Sequence, residues 1–416
     1  MKNIYQWIWR WHFIGGIISA PIVIMLAITG GIYLFKDTYE APQKILLKQV
    51  NQKSENRISY QQQLELAKEK WKKSPTGVVL PKSDNEATEF ISGKFSHKSS
   101  LFLDPYSNKV NGIVNVNETD MHTVRKLHGE LLLGTYGTKV VELVASWMVV
   151  LIITGLFLFW PRDRGLKGLF TIRTKQSKRI LFRDLHALSG FWFSALLVLV
   201  LAGGLPWTDI FGESFKWVQR KTGTGFPVTW ESQTLKSQPE GKALELDNII
   251  AKAKQFNLEG VVTIDLPQSP MGVYSLYNQT SELSLLRKIH LDQYTGEVIK
   301  SHTWADVGIL MKARLWAMAF HQGEFGWWNW YLMFLVATGL FVLSVSAIVS
   351  YFFRKQPGSL GIPKIPSHLS PGIALIAIIA LLGVVLPLFG ASVLVILVIS
   401  KLTARRETLL QTAERH

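Results

Sequence analysis

Long apolar runs alternate with long polar stretches along this chain. Hydrophobic residues dominate 11–35, 139–160, 185–205 and 327–353. Each run reaches the ~20 residues that a helix needs to cross ~30 Å of hydrocarbon. The polar stretches have their own pattern, and it occurs twice. "YQQQLELAKEKW" (Tyr60–Trp71) and "LDNIIAKAKQF" (Leu246–Phe256) read as amphipathic helices. "TGVVLP" and "EGVVTIDLP" follow as strands. Then come "LFLDPYSNKVNG" (Leu101–Gly112) and "IHLDQYTGEVIK" (Ile289–Lys300), two strands around an Asp-led turn. Each polar stretch is predicted to be a small α+β domain, and the whole chain reads as a tandem repeat.

The predicted organisation is a first span within 1–35, a polar unit with an amphipathic lead-in at 36–137, and a second span at 138–160. A basic loop at 161–184, a third span at 185–205, a second polar unit at 206–326 and a fourth span at 327–353 follow. The last apolar stretch, within 371–400, is long for one helix and is interrupted by Pro387 and Gly390. A single fifth span would carry Lys401, Arg405 and Arg406 to the side opposite the basic loop. A hairpin would keep them on the loop's side, although each arm is short for a crossing.

Composition agrees with an integral membrane α-helical bundle: 48% of residues are hydrophobic and mean hydropathy is +0.18. The net charge of +15 does not point to nucleic acid, because much of it flanks the spans. Arg162, Arg164, Lys167, Arg173, Lys175, Lys178, Arg179 and Arg183 crowd the short loop against Asp163 and Asp184. This excess marks the loop as cytoplasmic, and both polar units as extracytoplasmic. Lys2, Arg10, Arg354 and Lys355 agree. With no cysteine, disulfides, thiolate-held iron–sulfur clusters, c-type haem attachment and thiol catalysis are excluded. The centres of spans one, three and four carry no Asp or Glu, and Glu142 sits near the outer end of span two. That disfavours an ion-coupled transporter or a metal permease. Trp7, Trp9, Trp11, Trp160, Trp327, Trp328 and Trp330 fit interfacial belts.

The histidines carry the candidate chemistry. His12 and His186 each open a span that runs outward, and each is followed by small residues, Gly15–Gly16 and Ser189–Gly190. Gly16 and Gly190 lie one turn above the histidines, where they would clear a helix face for packing or for a flat porphyrin. His128 and His321 each precede a span that runs inward, in "LHGELLLG" and "FHQGEFG". His122 is a rival to His128. His290 stands where Phe102 stands in the repeat and reads as structural, while His97, His302, His368 and His416 lack a repeated context. Four histidines paired by repeat and by membrane side suggest axial ligands to two haem irons, His12 with His186 and His128 with His321. Two imidazoles per iron leave no open position, which suits electron transfer. Arg10, Arg125, Arg183 and Arg314 precede these histidines and are candidate partners for haem propionates. Positive-inside topology is the competing explanation for Arg10 and Arg183.

In the order "WRWHFIGG", "RKLHGELLLG", "RDLHALSG", "FHQGEFG", together with Leu103–Asp104–Pro105–Tyr106 and Leu291–Asp292–Gln293–Tyr294–Thr295–Gly296, the chain resembles the PepSY-associated transmembrane family of iron-regulated bacterial membrane proteins. The resemblance runs over nearly all of 1–355. It implies a bacterial inner-membrane protein with a cytoplasmic N-terminus and two PepSY-like periplasmic domains. Members similar to siderophore reductases bind two b-type haems and pass electrons to a ferric siderophore or other ferric chelate. The donor would be a quinol or a cytoplasmic reductase. The family's ligands would fall on His12, His128, His186 and His321. The first turn departs from the pattern, with Ser107–Asn108 in place of Thr-Gly. A non-enzymatic alternative follows from the likeness of PepSY modules to protease propeptides: the protein would bind or restrain a periplasmic protease or peptide.

Overall fold

The computed structural model describes residues 2–50, 57–93, 97–160, 165–359, 361–363 and 372–413. Arg162, Asp163, Arg164, His368 and His416 lie outside the described residues, as do the side chains of Lys401, Arg405 and Arg406.

Four helices are long and apolar enough to cross a membrane: α1 (Lys2–Tyr33), α5 (Gly134–Phe159), α6 (Lys178–Gly204) and α10 (Trp327–Arg354). α1 and α6 start well before their apolar runs, because polar residues such as Gln6, Arg10, Lys178 and Arg179 are good enough helix formers to extend the first turns. α1 packs on α5 and α10, and α6 packs on the same two, so the four form a closed bundle. Glycines set the close approaches. The Trp147 ring of α5 lies on α1 at Gly15, where a Cβ would come within 2.7 Å of it. The Phe193 ring of α6 covers Gly339 of α10 and leaves no room for a Cβ.

Each helix that runs toward the sheet turns into an amphipathic helix, α2 (Lys36–Lys48) after α1 and α7 (Ile210–Thr222) after α6. Glu142, fully buried near the start of α5, accepts from the N–H groups of Ile210 and Phe211 at 2.8 and 2.9 Å. A carboxylate at the positive end of α7 is stabilising, so the one acidic residue in span two anchors a helix end. Each helix that runs away from the sheet is preceded by a short one, α4 (Asp120–Glu130) before α5 and α9 (Ile309–His321) before α10. Left-handed backbone at Leu131, Leu132 and Gly134, and at Gly323 and Gly326, separates the two members of each pair.

The polar units, expected as two small α+β domains, share one sheet. Its order is β4-β3-β2-β1-β5-β6-β7-β8, and every pairing is antiparallel. The first unit supplies β1 (Gly77–Val79), β2 (Thr88–Ser92), β3 (Ser99–Leu103) and β4 (Val110–Val114). The second supplies β5 (Val261–Asp265), β6 (Val273–Gln279), β7 (Arg287–Asp292) and β8 (Val298–Thr303). The join is β1 on β5, with Val78 opposite Ile264. Joining removes two open strand edges, which a separate pair of domains would have to leave in water. One face of the sheet carries α3 (Tyr60–Lys70) and α8 (Leu246–Gln255), and Leu64, Phe90, Leu101, Ile249, Ile264 and Leu276 belong to one core drawn from both units. The helices cap each other across the join. Asp247 accepts from Tyr60 N and Gln61 N at 2.9 Å each, and Gln61 Oε1 accepts from Leu246 N at 3.0 Å.

Asp104 and Asp292 lead equivalent turns, each accepting from the N–H groups two and three residues on. Asn108 (φ 59°) takes the left-handed place that Gly296 (φ 67°) takes in the second turn, so the departure at Ser107–Asn108 leaves the turn geometry intact. His290 is fully buried in the sheet with Nδ1 2.8 Å from Ser275 Oγ, a structural place, and its ring meets that of His302.

The C-terminal apolar stretch is two helices rather than one span: α11 (Ile373–Val385) and α12 (Pro387–Ala413). They fold back on each other at Gly383 and Gly390, where a Cβ on either would meet the other's backbone. Leu386 and Phe389, at the bend, are buried against Leu205, Trp147 and Phe211 of the bundle.

Candidate functional site

α1 carries His12 near its start, and α6 carries His186 near its start; both are at the bundle end away from the sheet. The two rings face each other with centres 6.2 Å apart and planes at 66°. His128 ends α4 and His321 ends α9, at the sheet end of the bundle. Their ring centres are also 6.2 Å apart, with planes at 72°. The pairs are separated by about 25 Å along α1, the rise of the turns between His12 and the contact of His128 with Thr29.

The environment of each ring fixes which of its nitrogens carries the proton. His186 Nδ1 is 3.0 Å from the carbonyl oxygen of Leu343, and His321 Nδ1 is 2.8 Å from that of Val200. A carbonyl only accepts, so both Nδ1 atoms carry the proton. His12 Nδ1 lies 2.9 Å from Thr154 Oγ1, and His128 Nδ1 lies 3.0 Å from Thr29 Oγ1. Each of these hydroxyls donates its single proton to the carbonyl one turn back, Val150 O at 2.7 Å and Met25 O at 2.8 Å. The hydroxyl oxygens therefore accept from Nδ1–H. In the neutral ring this leaves each Nε2 with a lone pair, able to donate to an electron-pair acceptor.

Glycine makes room for the rings. A methyl group at Gly155 would lie 3.2 Å from His12 Cε1, and one at Gly30 would lie 3.1 Å from His128 Cε1. At Gly203 it would meet His321 Cβ at 2.7 Å, and at Gly204 it would sit 3.7 Å from His321 Cε1. Gly16 and Gly190, expected to clear the faces beside His12 and His186, instead meet Leu151 and Leu343 at ordinary packing distances of 3.9 and 3.5 Å. The expected pair lies one turn along its own helix, whereas the space a ring needs is set by the neighbouring helix.

The arginines do not converge on the rings as the histidines do. Arg10 donates to Pro363 O at 3.4 Å. Arg183 contacts Asp184 at 3.3 Å, a carboxylate already held by Arg173 at 2.6 Å. Arg314 is buried with its guanidinium 3.9 Å from the centre of the Trp207 ring. Arg125 sits with Nη2 3.4 Å from His122 Nδ1. His122 pairs with His97, ring centres 5.6 Å apart, and so stands apart from the His128 pair. Arg354, read in the sequence only as a sign of topology, lies over Phe13, the neighbour of His12, at 4.3 Å.

Above the His128–His321 end, the second face of the sheet roofs a cleft of about 460 Å³. Val79, Glu89, Ser100 and Thr263 look down from the sheet, and Tyr33, Lys36, His122 and Arg125 look up from α1, α2 and α4. Arg125 is one turn before His128, so the cleft opens directly beside that pair.

The model of the PepSY-associated transmembrane region matches residues 9–355, which include the four spans and the four paired histidines. The chain belongs to this family. No curated protein matches it. The family match ends at α10, so the α11–α12 hairpin is an addition beyond it.

The donor set fits haem. Two imidazoles that share one iron, each nitrogen about 2 Å from it, put their ring centres ~6 Å apart; both pairs stand at 6.2 Å, a spacing that the His290–His302 pair in the sheet also has, at 6.3 Å, so the distance permits shared iron without singling it out. Among the described residues no three His, Cys, Asp or Glu side chains gather as they would around a bare ion. A porphyrin supplies its own equatorial nitrogens and needs only the axial two.

Proposed function

We propose that this PepSY-associated protein is a di-haem electron conduit of the bacterial inner membrane that reduces a ferric chelate, such as a ferric siderophore, on the periplasmic side. The observation that carries the reading is the double pair of facing imidazoles, one at each end of the bundle. His12 and His186 would hold one b-type haem near the cytoplasm, and His128 and His321 a second near the periplasm. Bound there, the haems supply one-electron redox chemistry, which turns ferric into ferrous iron, a poorer match for hard oxygen chelators. The protein's residues do the rest. Thr154, Leu343, Thr29 and Val200 orient the rings and hold the Nδ1 protons away from the iron positions. With both histidines of a pair engaged, a haem held there would have no open position for oxygen and would suit outer-sphere electron transfer. The basic side between α5 and α6 faces the cytoplasm, which puts the N-terminus inside and the sheet outside. The donor is then a quinol or a cytoplasmic reductase, met at the His12–His186 end. The cleft under the sheet brings the chelate beside the His128–His321 end.

The test is a reduced-minus-oxidised visible spectrum of the full chain purified from a haem-replete host. Two low-spin haems per chain are expected. His12→Ala and His186→Ala should each remove one, and His128→Ala and His321→Ala the other. A colourless protein, or one whose haem survives all four changes, defeats the reading.

A further inference from the structure

We propose that the cleft under the sheet is an anion subsite that selects ferric chelates carrying net negative charge, such as catecholate or carboxylate complexes. The inference rests on the reading of that cleft as the place where a chelate approaches. It comes from basic side chains that line the cleft from both sides, Arg125 and His122 from α4 and Lys98 from the sheet side. Arg125 and His122 of α4 are in contact, with Arg125 Nη2 3.4 Å from His122 Nδ1. His97 packs its ring 5.6 Å from that of His122. Lys98, the next residue, lines the cleft and donates to the Tyr277 hydroxyl at 2.9 Å.

Other charges around the cleft are compensated. Lys36 pairs with Glu324 at 3.2 Å, Lys44 with Glu40 at 3.1 Å, and Glu89 with Lys48 at 3.1 Å. Asp37 stands in the first turn of α2, where the helix's N-terminal N–H groups favour a negative charge. Among the described residues, neither Lys98 nor Arg125 has a carboxylate within ion-pair distance. Burial, followed by the neighbouring charges of Arg125, His97 and Lys126, holds the His122 imidazolium below its usual range. Glu130 opposes these charges only in part, and basic groups that press on one another raise the potential of a concave wall. An anion relieves this repulsion, whereas a cationic chelate adds to it. The cleft's size lies within the roughly 300–1,000 Å³ of small-molecule sites.

Gallium(III) chelates test this without electron transfer, because gallium(III) is not reduced under these conditions. The full-length protein in lipid nanodiscs would be titrated calorimetrically with a gallium tris-catecholate complex, a trianion, and with gallium desferrioxamine B, a cation. The trianion should bind more tightly, and added salt should weaken it. Lys98→Gln and Arg125→Gln should each weaken it about tenfold, the scale of a lost charge-assisted hydrogen bond, and should tighten rather than weaken the cation's binding, because each removes a repelling charge. Equal binding of the two complexes, no binding of either, or trianion binding that both variants leave intact overturns the proposal. Visible spectra of the same samples separate the two readings. A colourless protein that still prefers the trianion defeats the haem assignment and keeps the anion subsite. Loss of haem in Arg125→Gln would assign that arginine to a propionate and remove it from the subsite; Lys98→Gln then decides.

Discussion

Two threonines do for the first repeat what two backbone carbonyls do for the second. Thr29 and Thr154 each spend their hydroxyl proton within their own helix, and so can only accept from His128 and His12. Each pair thus combines one ring held by a threonine with one held by a carbonyl. Donation from Nδ1–H makes the imidazole a stronger electron donor and stabilises ferric iron. Thr154→Val should therefore raise the midpoint potential of the haem proposed at His12 and His186, with the one proposed at the other pair unmoved. Thr29→Val should do the reverse. Haem affinity should fall roughly tenfold at the altered site. Potentiometric titration followed by visible spectroscopy checks this; a common shift of both haems, or none, would show that the hydroxyls do not act on the rings individually. The histidines were legible in the sequence because each stands in a repeated local context. The threonines were not, since Thr-Gly inside an apolar run reads as ordinary helix packing. A usable signal existed: Gly30 follows His12 by the same interval at which Gly204 follows His186, and both glycines border an outer histidine.

At the scale of elements, capping across the join ties the two polar units together. Asp247 satisfies two N–H groups of α3, from the other half of the sequence. Asp247→Ala leaves both without that acceptor and should cost about 1–2 kcal/mol of stability in the sheet domain. Thermal melting of the full chain, followed by tryptophan emission, measures it. A loss no larger than that of an exposed control such as Glu69→Ala would mean that water replaces the cap. The spans were readable because an apolar run of ~20 residues has few other interpretations. The strands and their turns were readable from alternation and from Asp104 and Asp292. The join of β1 to β5 was not, because β1 is only three residues long and its pairing depends on a strand far away in sequence. The short helices α4 and α9 were hidden for a different reason. Left-handed Leu131 and Leu132 break the chain before α5 without any Pro to announce the break.

The whole molecule is arranged so that each half orients its own histidines and neither half completes a site. His12 and Thr154, and His128 and Thr29, belong to the first repeat; His186 and Leu343, and His321 and Val200, belong to the second. Each facing pair nevertheless takes one ring from each repeat. The β1–β5 join and the Asp247 cap cross the same boundary. Both candidate haem sites are thus interfaces between halves, as in a symmetric dimer whose subunits have become one chain. Severing the chain in the basic loop should test this directly. Residues 1–164 and 165–416, made together, should associate through the sheet and the bundle and should recover both haems. Residues 1–164 made alone retain His12 and His128 with their threonines, but these two rings sit at opposite ends of α1 and cannot share an iron. That fragment should show no bis-histidine haem spectrum. A first fragment that binds low-spin haem as a monomer would place both ligands of a site within one repeat and contradict the shared-interface arrangement.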